Sequence, residues 1–253
     1  MELNFDKIVL FGDSITQHGF DQSSGFVFGS ALQEVTLSAY MRKLDILNRG
    51  FSGYNTDHCG LILPKLLEVE HKGGSKVKLM TIFLGTNDAL STIQHVPVSR
   101  YRENLASMVD KALRYDIRLV VIGPALHDPK LLPPSYAENG PGDISSSANN
   151  KTYSEAARSV AEQYKVPFLD LWTAFKNKGG WSDEQLAQQS VSIRSLLSDG
   201  IHFTSEAYQV LYEELISIID YEYPELAPGN LKMKLAVWNT IDPHNIEKTM
   251  FTH

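Results

Sequence analysis

The sequence predicts an α/β fold in which a five-stranded parallel sheet is covered by helices on both faces, a three-layer sandwich. Five short, continuous runs rich in Val, Ile, Leu or Phe read as strands buried on both faces. Longer segments with apolar residues at helical spacing lie between them, so strand and helix alternate along the chain. Size agrees: 253 residues, 43% of them hydrophobic, suffice for one domain with a full core. No internal repeat or linker is visible, so residues 1–253 are expected to form a single domain.

The strands are expected at Ile8–Phe11, Asp45–Leu47, Val77–Leu84, Leu119–Ile122 and Val166–Leu171. The spacing predicts a helix over Phe28–Met41, with Phe28, Ala31, Leu32 and Val35 on one side. A second, Asp57–Glu70, gathers Leu61, Leu63 and Leu67, and Pro64 should disturb its middle. Tyr101–Tyr115 carries Leu105, Met108, Val109 and Ala112 at helical spacing, and Tyr153–Tyr164 does so with Ala156, Ala157, Val160 and Ala161. Thr204 or Ser205 can cap a last long helix, with Glu206 beside the positive end of its dipole. Its apolar stripe is Ala207, Val210, Leu211, Leu215, Ile218 and Ile219.

Two stretches break the alternation. Gly123–Asn150 is rich in proline, glycine and serine, and a connection this long is expected to be a lid or binding loop, or else a disordered insertion. The segment from about residue 224 holds Met233, Leu235, Val237 and Trp238, too apolar for a free tail. It is expected to dock on the domain or on a second subunit; a homodimer is the second arrangement.

Charge and cysteine usage narrow the partners. The net charge of −7 is spread without a basic cluster, so nucleic acid is not an expected partner. The first residues lack a basic region followed by a long apolar stretch, so neither a signal peptide nor a membrane span is expected. Cys59 is the sole cysteine, which rules out an internal disulfide and suits a reducing, cytoplasmic setting. It is expected to be a small buried apolar residue within a helix. The glycosylation triplet Asn150-Lys151-Thr152 is expected to be silent.

In open α/β sheets, ligands bind beyond the carboxyl ends of the strands. Gly12-Asp13-Ser14 follows the first strand there, Gly53 lies after the second, Asn87-Asp88 after the third, and Asp199-Gly200-Ile201-His202 precedes the last helix. A serine in such a turn ordinarily caps a helix. With an imidazole nearby it can instead attack an acyl carbon. His202 can act as the base and Asp199, three residues earlier, can fix its tautomer. Gly53 lets a backbone N–H approach a substrate oxygen, and Asn87 offers a side-chain amide to a developing oxyanion. Together these make a complete acyl-transfer set. Asp13 is expected to orient the turn through backbone bonds. Phe51, Tyr54 and Phe203 flank the set and are expected either to wall an alcohol pocket or to pack in the core.

The rival chemistry is metal-dependent phosphoester hydrolysis on Asp13, Asp88, Asp199 and His202. The other histidines, among them His18, His58 and His127, show no ligand-like spacing, so no metal and no other cofactor is expected. A non-catalytic binding module would be expected to lack one member of the set, and none is missing.

"FGDSIT", "NRGFSGYN", "GTND" and "DGIHF" resemble, in order, the four blocks of the SGNH hydrolases, the GDSL-like lipases and acylhydrolases. The resemblance implies a flavodoxin-like sheet of five parallel strands. It implies that Ser14 is the nucleophile, that Asp199 and His202 complete the triad, and that Ser14, Gly53 and Asn87 form the oxyanion hole. "MRKLDILNRGFSGYNT", "LLSDGIHFTSEAYQVLYEEL" and "YPELAPGNLKMKLAVW" are similar to the narrower group of isoamyl acetate-hydrolysing esterases of yeasts. The substrates so implied are small-molecule acetate esters of medium-chain alcohols. Thioesterases, lysophospholipases and carbohydrate deacetylases share the apparatus and differ in the pocket.

Overall fold

A computed structural model describes residues 3–21, 26–33, 39–133 and 146–251. Five strands, β1 (Lys7–Gly12), β2 (Asp45–Gly50), β3 (Val77–Phe83), β4 (Arg118–Ile122) and β5 (Phe168–Leu169), form one sheet in the order β2-β1-β3-β4-β5. All neighbouring pairs run parallel. This is the flavodoxin order, and it puts the switch in winding direction between β1 and β3. The crevice beyond the carboxyl ends of those two strands is therefore where a ligand belongs.

The described helices are α1 (Ser14–His18), α2 (Phe28–Gln33), α3 (Thr56–Glu70), α4 (Val98–Leu113), α5 (Ser147–Tyr164), α6 (Leu171–Gly179), α7 (Asp183–Ala187), α8 (Ser205–Glu222) and α9 (Ile246–Met250). Side chains alternate across each strand, so β1 feeds two cores. Ile8 and Leu10 join Phe28, Leu32, Trp172, Phe175 and the stripe of α8 on one face. Val9 and Phe11 join α3, α4 and α5 on the other. The three layers follow from this double burial, as the continuous apolar runs predict.

Several boundaries moved for local reasons. β2 continues to Gly50, because the bare glycine admits the start of α1: a Cβ there would lie 2.1 Å from the Gln17 amide nitrogen. β5 is only two residues long. Pro167 before it has no amide to donate, and Asp170 after it turns aside to cap α6, accepting from the Thr173 amide. α3 runs through Pro64 unbroken, against expectation. α2 ends its described span at Gln33; residues 34–38, including Val35, lie outside the described residues, and residues 39–43 form a bend and a turn rather than helix. α5 begins at Ser147 rather than Tyr153, capped by Ser146, whose hydroxyl accepts from the Asn149 amide. α6 and α7 were not anticipated. Thr204 is the cap of α8.

Of the proline-rich connection, residues 134–145 lie outside the described residues. Its first part is no free loop: Ala125, Leu126, His127 and Asp128 are buried at the rim of the sheet. The C-terminal segment docks on its own chain. The Lys234 amide donates to Arg42 O at 2.8 Å, Lys43 Nζ to Pro228 O at 2.6 Å, and Tyr40 Oη to Leu226 O at 3.0 Å. Residues 40–43 precede β2, so this segment sits by the amino end of the sheet, away from the β1–β3 crevice. Trp238, in the same segment, is 79% exposed.

Candidate active site

β1 ends in the crevice on Gly12, where only glycine fits: a Cβ would come within 2.6 Å of the Phe83 carbonyl oxygen on β3. Asp13 then caps α1, its Oδ1 accepting from the Ile15 amide at 3.0 Å. That answers the capping question. The cap is Asp13, and the hydroxyl of Ser14, first residue of the helix, is left for another partner. Ser14 Oγ lies 3.0 Å from His202 Nε2. His202 Nδ1 lies 2.7 Å from Asp199 Oδ2. The structure thus joins Ser14, His202 and Asp199 in one line of hydrogen bonds.

Asp199 and His202 come from a single tight turn before α8. Asp199 Oδ1 accepts from the amides of Ile201 at 3.0 Å and His202 at 2.8 Å. Gly200 adopts φ +93°, and a Cβ there would lie 2.3 Å from the Asp128 carbonyl oxygen, so the turn requires glycine. Partial burial works against the Asp199 charge, but the bonds from His202 and from the His202 and Ile201 amides outweigh it. They hold the carboxyl well below the usual carboxylate range.

The donor side is built from two loops. Gly53, at φ +78°, follows β2; Asn87 follows β3. The Phe51 amide donates to Gly12 O at 2.9 Å, which joins the Gly53 loop to the Ser14 turn. Asn87 Nδ2 donates to Tyr54 O at 2.8 Å, which joins the two loops. Asp88 accepts from the Thr56 amide at 3.0 Å and from the Thr56 hydroxyl, at the positive end of α3. A further side chain, Gln94, bonds to both loops and escaped the reading of the sequence.

Asp13, beside Ser14 in the chain, and Asp88 are buried. Burial, reinforced by the Asp88 charge, pushes the Asp13 carboxyl up to about 7 against the bond from Ile15 and the attraction of His202. Burial likewise pushes Asp88 up to about 6, against the bonds from Thr56. Cys59 is a buried free thiol in α3, as expected, and burial beside these carboxylates pushes it up to about 12. Burial pushes His127 down to about 3; its ring nitrogens have no hydrogen-bond partner among the described residues. Nothing in its sequence context marked it.

Phe203 does both things the sequence allowed, lining the groove beside His202 and packing inward. It packs in the core against Phe83, Phe175 and Tyr208. Phe51 and Tyr54 stack at 5.7 Å between ring centres, and Tyr54 is 42% exposed at the rim. Beside His202 a groove of about 570 Å³ opens, with His18, Asp21, Ser198 and Glu206 among its lining residues. Among the described residues, no group of three or more His, Cys, Asp or Glu side chains is arranged to hold a metal ion.

Comparison with known proteins gives a consistent picture. The model of the GDSL-like Lipase/Acylhydrolase family matches residues 10–210. The isoamyl acetate-hydrolyzing esterase of Saccharomyces cerevisiae is 35% identical, over 94% of this chain and 96% of its own. The isoamyl acetate-hydrolyzing esterase 1 homolog of Homo sapiens is 33% identical, over 94% of this chain and 89% of its own. Among solved structures, a lipase/acylhydrolase from Enterococcus faecalis is similar with a TM-score of 0.63 at 23% identity, covering 92% of this chain and 100% of that one. A catalytic mutant of an acetylxylan esterase from Geobacillus stearothermophilus has a TM-score of 0.59 at 15% identity, covering 87% and 96%. At those identities the two structures speak to the fold alone.

Proposed function

The chain belongs to the GDSL-like lipase/acylhydrolase family, and on that premise we propose that it hydrolyses acetate esters of medium-chain alcohols, such as isoamyl acetate, through an acyl-enzyme on Ser14. It is a serine esterase of that family, a carboxylic ester hydrolase. The observation that carries the proposed mechanism is the line of hydrogen bonds from Asp199 through His202 to Ser14.

His202 Nε2 takes the Ser14 proton as Oγ attacks the acetyl carbon. Asp199, ionised and bonded to Nδ1–H, keeps Nε2 free to accept that proton and steadies the imidazolium that forms. The oxyanion is received by the amides of Ser14 and Gly53 and the side chain of Asn87. The C–O bond then breaks, and His202 returns its proton to the leaving alcohol. Water, deprotonated by the same imidazole, cleaves the acetyl-enzyme and regenerates Ser14.

The acetate preference is supported by what the yeast relative is named for. Rates with isoamyl acetate, longer acyl esters, acyl-CoA and acetylated sugars test it; the acetate ester of the medium alcohol is expected to lead. Ser14→Ala is expected to fold normally and to show neither burst nor turnover with p-nitrophenyl acetate. Retained turnover would remove Ser14 from the mechanism.

No helix among the described residues is long and apolar enough to cross a membrane. We read residues 1–253 as one domain with the 123–150 insertion and the extension from about 224, acting on small esters in a cytoplasmic setting. The single buried Cys59 supports that setting, and the apolar tail leaves a homodimer as an arrangement for sedimentation to test.

A further inference from the structure

We propose that Gln94 is a positioning residue that aims both loop-borne oxyanion donors, Gly53 and Asn87, at the reacting carbonyl. The inference rests on the esterase reading above and extends it to a side chain that touches no reacting atom.

Gln94 Nε2 has two hydrogens, and two acceptors lie within reach. Gly53 O is 2.7 Å away and Asn87 Oδ1 is 3.4 Å away. One primary amide therefore bridges the two donors. The effect on each differs. Gly53 sits at φ +78°, a conformation open to glycine but not fixed by it. Holding its carbonyl pins the Gly53–Tyr54 peptide, and through the Gly53 Cα it restrains the neighbouring Ser52–Gly53 peptide that carries the donor N–H. Asn87 has an amide that can turn over about its last bond and exchange donor for acceptor. With Oδ1 facing Gln94 and one Nδ2 hydrogen on Tyr54 O, the turned-over form loses both bonds. The second Nδ2 hydrogen is then free for the oxyanion.

Gln94 is itself held for this task. Its main-chain carbonyl accepts from Asn55 Nδ2 at 2.8 Å, and its main-chain N–H donates to Thr92 Oγ1 at 3.2 Å. The loop that carries it is closed by the Val96 amide on Asp88 O at 3.1 Å. Filling space is not its purpose. It is half-buried between exposed neighbours, Ile93 and His95. What it contributes is a pair of hydrogens in a fixed place, and that is a condition for oxyanion stabilisation without reorganisation.

The test compares kcat and KM for p-nitrophenyl acetate in Gln94→Ala, Gln94→Glu, Ile93→Ala and Ser14→Ala. Both Gln94 variants are expected to lose about tenfold to a hundredfold in kcat, less than the loss of a whole donor, with KM changed by less than about twofold. Their thermal midpoints are expected to match the wild type. Glu at position 94 keeps the shape but, ionised, faces two oxygens with no hydrogen to give. Protonation restores one, so its kcat relative to wild type is expected to rise from about pH 8 to about pH 5. Ile93, 94% exposed in the same loop, is the control and is expected to leave kcat unchanged on conversion to Ala. Wild-type kcat in either Gln94 variant, a loss confined to KM, a loss that tracks a falling thermal midpoint, or a flat pH ratio for Gln94→Glu would each overturn the proposal. Turnover by Ser14→Ala would instead overturn the parent reading, whatever Gln94 does.

Discussion

The two walls of the β1–β3 crevice are built in opposite ways. On the acid–base wall, Asp199 and His202 belong to one turn, three residues apart, and the turn's own amides hold the carboxylate. Ties from elsewhere in the chain are the contact to Ser14, the Asp128 amide on Gly200 O at 3.0 Å and the His18 ring beside His202. On the donor wall, Gly53 and Asn87 stand on separate loops, and their alignment comes from bonds between those loops: Asn87 to Tyr54, Asp88 to Thr56, Gln94 to both. A locally determined wall is set by a few residues close in sequence. A wall assembled across loops is set by every tie, so its parts are individually milder and more numerous.

The largest break falls on the first wall. In Asp199→Asn, Oδ1 can still accept from the Ile201 and His202 amides, so the turn survives. The side chain would present an amide N–H to Nδ1, forcing the proton onto Nε2, where it cannot accept from Ser14. A loss on the order of 10⁴ in kcat is expected, with KM little changed. A loss below about tenfold would show that Asp199 does not set the tautomer. On the second wall, Asn87→Ala deletes a proposed donor together with a tie. It is expected to cost about 10² to 10³ in kcat. Binding of a boronic acid mimic of the tetrahedral state should weaken in parallel, while a ground-state product analogue should bind as before. Equal weakening of both would mean that Asn87 holds substrate rather than the oxyanion.

The same contrast explains what was legible in the sequence. The sheet, its flanking helices and the triad residues are each marked locally, by an apolar run, a helical period or a Gly-Asp-Ser turn after a strand. Asp199 and His202 are close enough in sequence to be read as a pair. Gln94 carries no such mark: it acts through Gly53, 41 positions away, across a loop closure that only coordinates reveal. Thr56 and Asp88 meet for the same reason, 32 positions apart. α6 and α7, 9 and 5 residues long, are too short to show a helical period in the sequence. β5 is shorter than its apolar run because Pro167 precedes it and Asp170 turns aside to cap α6.

Asp13 touches both walls, since it caps the nucleophile's helix and lies within electrostatic reach of Asp88 and His202, and it sharpens the comparison at the smallest scale. It is buried to 1% exposure, and its Oδ2 has no hydrogen-bond partner among the described residues. Its carboxyl is pushed up to about 7 from an ordinary 3.8. Between those values the folded chain holds a proton that the unfolded chain has released. The stability tied to that proton is full below about pH 4 and is lost as pH rises through about 7, at on the order of 1 kcal/mol per pH unit. Asp88, pushed up to about 6, adds a loss of the same sign over a narrower window. Asn at position 13 keeps the acceptor for Ile15 and has no charge to bury. In urea titrations, Asp13→Asn is therefore expected to match the wild type near pH 4, to exceed it increasingly as pH rises to about 7, and to keep a constant lead above that. An offset independent of pH would mean that Asp13 does not change its protonation in this range, and the burial of its second oxygen would then need another partner.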